Sequence, residues 1–261
     1  MKDYRPELAE FLGVFALVFI GCAAVATNDR FAFLGPVGVA FAFGLTIVVM
    51  VYALGHVSGA HLNPAVTLAF TAAGHFPPRR ALSYLAAQAA GATAAAFLLV
   101  ALLPEGMNVG VTRPMDSLLG AAFAYELVVT AFLMLVIMSV ATDARASPAV
   151  AGLAIGGVII VGSLAAGPIS GGSFNPARSI GPALAAREFG DLWIYLTAPF
   201  AGALLGAVLY ELLRAGRLAP DRLGPDEALG ALGRVRLQRA AVPVAAREAP
   251  EETLKQEPKA P

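Results

Sequence analysis

The triplet Asn-Pro-Ala occurs twice in this chain, and the repetition restricts the possible folds more than any other feature of the sequence. The segment at 58–63 aligns with the segment at 170–175 at an offset of 112 residues, which indicates an internal duplication. Asn is a favoured N-cap, and Pro at the first helical position gives up no hydrogen bond. Each copy therefore predicts the start of a helix, capped by Asn63 in the first copy and by Asn175 in the second.

The rest of the chain is too apolar for a soluble domain. Charged residues make up 14% of it and hydrophobic residues 58%, whereas a soluble domain has about a quarter of its residues charged. Most of the uncharged runs approach the ~20 residues that a helix needs to cross a bilayer. We predict an all-α membrane protein with six transmembrane helices, over about 11–28, 31–55, 81–104, 127–142 (extended upstream past Glu126 to Ser117), 146–167 and 192–210.

Residues 31–78 contain no Asp, Glu, Lys or Arg, and 48 residues are too many for one span. A span to Gly55, a loop and a short helix from Pro64 would fill this length, and the second copy repeats the plan with a short helix from Pro176. About ten residues of helix cover half a bilayer. We therefore expect two re-entrant half-helices in an inverted repeat that meet at the midplane, with the preceding loops lining a cavity.

These residues resemble the aquaporin, or major intrinsic protein, family over about residues 5–214. The likeness is carried by both triplets, by Gly-His-Val-Ser-Gly-Ala-His at 55–61 and by Ala-Arg-Ser at 177–179. It implies a six-helix bundle, a homotetramer with one pore per subunit, and passive conduction without cofactor or catalytic residues. The pore boxes would be Asn63, Pro64, Ala65, Asn175, Pro176 and Ala177.

Arg178 lies three residues after Asn175, on the same face of the second half-helix, and a charge this deep in a membrane is functional by default. The resemblance places Arg178 in the narrowest constriction together with Phe43, Ser163 and Gly172. Simple water channels commonly have a histidine at the Ser163 position, so a wider and still polar aperture is expected. Within the family, the closest likeness is to nodulin-like intrinsic proteins. Phe43 differs from their pattern and is expected to narrow the pore.

Three further residues are assigned to the pore region. Glu10 and Glu126 lie near the ends of spans one and four from which the re-entrant loops enter, and each is expected to accept backbone N–H groups from its loop. For His61, a place in the pore wall and simple packing within the loop are equally consistent with the sequence. No metal site is expected, and the single cysteine, Cys22, excludes an internal disulfide.

The distribution of Lys and Arg between loops predicts that both termini lie in the cytoplasm. We expect a channel domain at 1–214, with repeats at about 5–104 and 117–214, in a bacterial inner membrane. Residues 215–261 are expected to form a flexible cytoplasmic tail. The predicted partners are lipid, water and small neutral solutes such as glycerol, ammonia or metalloid acids, and not nucleic acid.

The sequence leaves three other functions open. A secondary transporter is the main alternative, because inverted repeats with broken helices also build substrate sites at the midplane. An intramembrane enzyme would need a nucleophile and a base arranged for chemistry, and no such arrangement is evident. A purely structural, junction-forming membrane protein would show no permeability.

Overall fold

A computed structural model describes residues 3–143 and 146–215, and every regular element within these ranges is helical. Six long helices have the length and apolar composition to cross a membrane, which confirms the predicted number of spans. Two short helices interrupt the series, and a 3-10 turn at Pro148–Val150 precedes the sixth helix. In chain order the helices are α1 Arg5–Phe31, α2 Gly35–Ser58, α3 Pro64–Ala72, α4 Pro78–Leu102, α5 Leu119–Thr142, α6 Ala151–Ser170, α7 Pro176–Ala186 and α8 Leu192–Ala215.

The two short helices begin at the prolines predicted to start them. α3 has 9 residues and α7 has 11, so each is about half a bilayer in length. Their N-caps, Asn63 and Asn175, are both extended, with φ of −159° and −151°. Each cap side chain accepts a hydrogen bond from the first turn of its own helix, which satisfies N–H groups that have no partner within the helix.

Glycines set the closest approaches between the long helices. A Cβ at Gly91 on α4 would overlap the Phe11 carbonyl oxygen of α1, and a Cβ at Gly202 on α8 would overlap the Leu127 carbonyl oxygen of α5. In each half of the chain, a glycine thus allows one helix to contact the backbone of its neighbour. Small residues allow membrane helices to pack with their backbones in contact, since dispersion between closely fitted surfaces is a main attraction in lipid.

α2 and α6 pack against each other and join the two halves, while α1 packs on α2 and α4, and α5 packs on α6. One end of the bundle carries residue Arg5 and the last residues of α8, and we call it the terminal face. The opposite end carries the connections α1–α2 and α4–α5 and the entry to α7, and we call it the loop face. The predicted tail, apart from Ala215, falls outside the described residues, so it stays a prediction together with the domain boundary at 214.

Candidate functional site

The N-termini of α3 and α7 meet at the centre of the bundle and are tied to each other. Asn63 Nδ2 donates to the Phe174 carbonyl oxygen at 2.8 Å, and Asn175 Nδ2 donates to the Leu62 carbonyl oxygen at 2.8 Å. Both asparagines are buried. Each side chain thus caps its own half-helix with its oxygen and holds the opposite loop with its nitrogen, so the two half-helices are fixed as one unit.

The loops before the two asparagines share an unusual backbone. Three residues in each loop have positive φ, and they correspond at the same offset of 112. In the first loop these are Gly59 (86°), Ala60 (45°) and Leu62 (49°), and in the second Gly171 (80°), Gly172 (62°) and Phe174 (54°). Non-glycine residues in this region are strained and persist only where their surroundings hold them in place.

Two fully buried carboxyl groups hold these strained loops. Glu10 on α1 accepts from the N–H groups of His61 and Leu62, at 2.9 and 2.7 Å. Glu126 on α5 accepts from the N–H groups of Ser173 and Phe174, at 2.8 and 2.7 Å. A carboxylate can accept several N–H groups at once, which suits a loop whose backbone donors point in one direction. The bracing role assigned to Glu10 and Glu126 in a working channel stays a prediction.

Hydroxyl groups complete the setting of each carboxyl. Ser58 donates to Glu10 and Ser170 donates to Glu126, both at 2.7 Å. Gln88 on α4 adds a fourth donor to Glu10, at 2.8 Å, and also donates to the Thr67 hydroxyl. The Gln88 Oε1 atom is buried and has no hydrogen-bond partner among the described residues. The two sites therefore differ in their number of donors although their backbones match.

Arg178, in the first turn of α7, is 3% exposed. Its Nη1 donates to the Gly110 carbonyl oxygen at 2.6 Å, and its guanidinium carbon lies 4.7 Å from the centre of the Phe43 ring. Within residues 3–143 and 146–215, no carboxylate pairs with Arg178 and its Nε has no hydrogen-bond partner. The cation is thus held by a backbone carbonyl and an aromatic face, and it forms no salt bridge within the described residues.

A continuous cavity of about 710 Å³ runs from Tyr52 and Asp143, near the terminal face, to Gly172 and Arg178. The wall is largely aliphatic, with contributions from α2, α5 and α6. All four predicted filter residues line this cavity, as do three central polar residues; these seven are Phe43, Ser163, Gly172, Arg178, His61, Asn63 and Asn175. The remaining box residues, Pro64, Ala65, Pro176 and Ala177, are buried behind the wall.

Gly172 lies beside Ser163 at the Arg178 end of the cavity. A Cβ built on Gly172 would lie 3.7 Å from the Cα of Ser163, which is ordinary van der Waals contact. Space for a small side chain therefore exists at Gly172, while its φ of 62° favours glycine. Ser163, Gly172 and Arg178 line the same cavity; their role as a selectivity filter stays a prediction.

His61 lines the cavity and is also packed within its loop, so both sequence interpretations describe part of its setting. Its Nδ1 lies 3.1 Å from the Thr67 hydroxyl oxygen. Its ring contacts three aromatic rings, those of Phe70, Phe76 and Tyr84, with centroid distances of 4.9, 4.7 and 5.3 Å. These contacts fix the ring at the wall of the cavity.

The connection between α4 and α5 was not singled out from the sequence, although it supplies the Gly110 carbonyl to Arg178. The same connection places the Thr112 hydroxyl 2.8 Å from the Ser179 hydroxyl of α7. The contact with Arg178 is made by a backbone oxygen, so no residue type marks it. Gly110 has a φ of 81°, and a glycine in a connection can indicate such a turn. The chain contains 27 glycines, however, so this one does not stand out in the sequence.

Comparison with known proteins agrees with this geometry. Residues 1–210 match the family described as Major intrinsic protein. The chain is 50% identical over 211 residues to Aquaporin NIP1-4 of Oryza sativa subsp. japonica, covering 79% of this chain and 76% of that one. It is 42% identical over 212 residues to Aquaporin NIP6-1 of Arabidopsis thaliana, covering 81% and 69%.

A solved structure shows the same fold. The X-ray structure of the aquaglyceroporin from Plasmodium falciparum superposes with a TM-score of 0.71 at 26% sequence identity, covering 80% of this chain and 96% of that one. The fold, the family match and the curated relatives thus agree with each other over the described helices. The chain therefore belongs to the major intrinsic protein family.

Proposed function

We propose that this protein is a passive channel for water and small uncharged solutes, including glycerol and metalloid acids, and that it excludes ions and protons. The family and its relatives make it an integral membrane channel and not an enzyme. One observation supports the finer proposal above all others. The N-caps of both half-helices and Arg178, which forms no salt bridge within the described residues, line a single continuous cavity.

The centre of the cavity repels cations. Each half-helix N-terminus carries about half a unit of positive charge, and the two are placed at the same point by the cross-links of Asn63 and Asn175. An asparagine amide has two hydrogens. One hydrogen is donated to a backbone carbonyl of the opposite loop, so the other is available to the oxygen of a passing molecule. A water that accepts from both amides turns its own hydrogens away from the centre, which interrupts a proton-conducting chain.

The Arg178 end of the cavity acts as the filter. Arg178 lines this end of the cavity as a hydrogen-bond donor for the hydroxyl oxygen of a solute, and the Phe43 ring offers an apolar surface next to it. Ser163 and Gly172 leave the opposite side open, because neither has a bulky side chain. A small molecule with both hydroxyl and carbon surface, such as glycerol, fits this combination, whereas a hydrated ion loses its water without compensation.

A homotetramer in the membrane, with both termini in the cytoplasm, belongs to the same proposal. The resemblance to the family supports the assembly, and the predominance of Lys and Arg in the sequence segments predicted to be cytoplasmic supports the orientation. The bacterial inner membrane as the host membrane stays a prediction from the sequence, and the relatives reported above come from plants. Cross-linking in native membranes measures the subunit number directly.

Purified protein in liposomes tests the permeants by stopped-flow light scattering with water, glycerol and boric acid. Wild-type liposomes are expected to exceed empty ones for all three. Gly172→Phe should lower glycerol and boric acid flux by about tenfold, equivalent to ~1.4 kcal/mol on the barrier, with a smaller loss for water. Gly172→Ala is the matched control, since Ala60 already occupies the equivalent backbone position with positive φ.

Two results would contradict the proposal. Wild-type fluxes equal to those of empty liposomes would remove conduction altogether. Flux that saturates and depends on an ion gradient would instead favour a secondary transporter. If Gly172→Phe leaves every flux unchanged while the protein stays folded, Gly172 is not part of the filter.

A further inference from the structure

The position of Arg178 depends on a turn in the α4–α5 connection. The Gly110 carbonyl oxygen is the hydrogen-bond acceptor for Arg178 Nη1, and no second acceptor for this side chain is present within the described ranges. Whatever fixes Gly110 therefore fixes the charged group of the filter. The connection itself has no helix or strand that would hold it in place.

Asn108 shapes this turn with its side-chain oxygen. Its Oδ1 accepts from the N–H groups of Gly110, at 2.9 Å, and Val111, at 3.2 Å. Asparagine is well suited to such a turn, because its side chain can bond its own backbone two residues further on. The two bonds orient the peptide groups on either side of Gly110, and hence the direction of its carbonyl.

The same side chain anchors the turn to α1. Asn108 Nδ2 donates to Asp29 Oδ2 at 2.7 Å, and Asp29 lies near the end of α1 at the loop face. One side chain thus shapes the turn with its oxygen and attaches it to a transmembrane helix with its nitrogen. Without this hydrogen bond, the turn would be attached to α1 only by its contact with Cys22.

Gly110 is pressed against α1 below this anchor. A Cβ at Gly110 would lie 2.5 Å from both Cβ and Sγ of Cys22, which is fully buried. The turn therefore lies on α1 without a gap. The following residues are held independently, by the Thr112–Ser179 hydrogen bond and the Arg113–Glu188 ion pair. Losing the Asn108 contacts should change the turn and leave the rest of the connection in place.

We propose that Asn108 and Asp29 are positioning residues that set the permeant selectivity of this channel by holding the Gly110 carbonyl against Arg178. The proposal rests on the function proposed above. With the carbonyl displaced, the guanidinium is held only by the Phe43 ring and moves into the cavity, where Ser163 offers a hydroxyl. The aperture becomes narrower, so glycerol, with its larger cross-section, loses more flux than water does.

The test measures the ratio of glycerol to water permeability in liposomes, which does not depend on the amount of protein incorporated. Asn108→Ala is expected to lower this ratio by roughly fivefold. This is the effect of losing one ordinary hydrogen bond, here the one between Arg178 and the Gly110 carbonyl oxygen. Asn108→Asp should lower it as well, because it places a second carboxylate against Asp29. A ratio unchanged in both variants overturns the proposal.

Exchanging the two side chains provides the rescue. In the double variant Asp29→Asn with Asn108→Asp, the new carboxylate accepts from Gly110, from Val111 and from the new amide, so the ratio should return to within about twofold of the wild-type value. A general loss of stability would not be repaired by this exchange. Failure of the rescue, with Asn108→Ala defective, contradicts the pairing of these two residues.

A second background shows whether the effect passes through Arg178. In Arg178→Val protein there is no guanidinium to release, so adding Asn108→Ala should leave the ratio unchanged. The same fall in both backgrounds would refute the proposed route. Should Asn108→Ala protein not reconstitute, Asp29→Ala removes the same anchor at an exposed site and has to lower the ratio.

These outcomes separate the inference from the function on which it rests. If wild-type liposomes conduct neither water nor glycerol above empty liposomes, the proposed function fails and the selectivity role fails with it. If wild-type liposomes conduct both and the Asn108 and Asp29 variants keep the wild-type ratio, only the positioning role is refuted.

Discussion

Replacing Glu126 by glutamine tests whether a buried carboxylate holds the second re-entrant loop. The carboxylate accepts three hydrogen bonds, two at Oε1 from Ser170 and Ser173 and one at Oε2 from Phe174. The amide oxygen of Glu126→Gln can keep the first two. Its NH₂ group then faces the Phe174 N–H, so a buried donor loses its acceptor.

An unsatisfied buried N–H costs about 1–3 kcal/mol. A central value of ~2 kcal/mol corresponds to a fall of about 4–8 °C in the unfolding midpoint for a chain of this size. Water permeability should fall too, because Phe174 also supplies the carbonyl that accepts from Asn63. Displacing Phe174 would therefore also weaken the hydrogen bond that holds Asn63 at the centre of the pore.

The equivalent change at Glu10 should be milder. Gln88 lies against Glu10 and has a side-chain oxygen without a partner in the described structure. A rotation of the Gln88 amide brings this oxygen to the NH₂ group introduced by Glu10→Gln, so that only the Leu62 N–H loses its acceptor. At Glu126 no such acceptor is among its described hydrogen-bond partners, so its NH₂ group stays unpaired.

Thermal unfolding in detergent and stopped-flow water permeability measure both effects. Glu105→Gln, at an exposed position, serves as the control and should leave the midpoint unchanged. We expect the control to have the highest unfolding midpoint, Glu10→Gln a lower one and Glu126→Gln the lowest. Equal midpoints for Glu126→Gln and the control, with unchanged water flux, would refute the argument that the carboxylate holds the loop.

Two further substitutions test the centre of the pore and the helix packing. Asn63→Asp replaces the donor to the Phe174 carbonyl with an oxygen, so water permeability should fall by about tenfold, and wild-type flux in this variant would argue against the cross-link. Gly202→Leu places a side chain on the Leu127 carbonyl oxygen and should yield little folded protein by size-exclusion chromatography. Gly120→Ala, which meets open space, is the control, and equal yields from both variants would refute the close approach.

The sequence predicted the helical architecture well, because its signals are local. An uncharged run of about 20 residues and an Asn-Pro pair each indicate their structure without reference to distant residues. The six spans and the two half-helix starts were therefore predicted, with most span boundaries shifted by a few residues in either direction in the structure. α5, for example, begins at Leu119, two residues after Ser117, to which the predicted span extended.

The contacts around the pore were predicted less completely. The sequence pointed to Glu10 and Glu126 through their positions in the spans, yet it gave no sign that Asn63 and Asn175 hold each other's loops. It also missed Asn108, since a polar residue in an exposed connection has many possible partners. Each of these contacts joins residues far apart in the chain, and sequence spacing does not specify such pairs.

By itself, the sequence determined that this chain crosses a membrane six times and that two matched half-helices begin at Asn63 and Asn175. Apolar length and capping are properties of neighbouring residues, so they can be read directly from the sequence. Only the tertiary structure decided where the charge of Arg178 lies, because its position depends on the Gly110 carbonyl, 68 residues away in the chain. A local signal makes the half-helices, whereas the aperture between them is formed by contacts that exist only once the chain has folded.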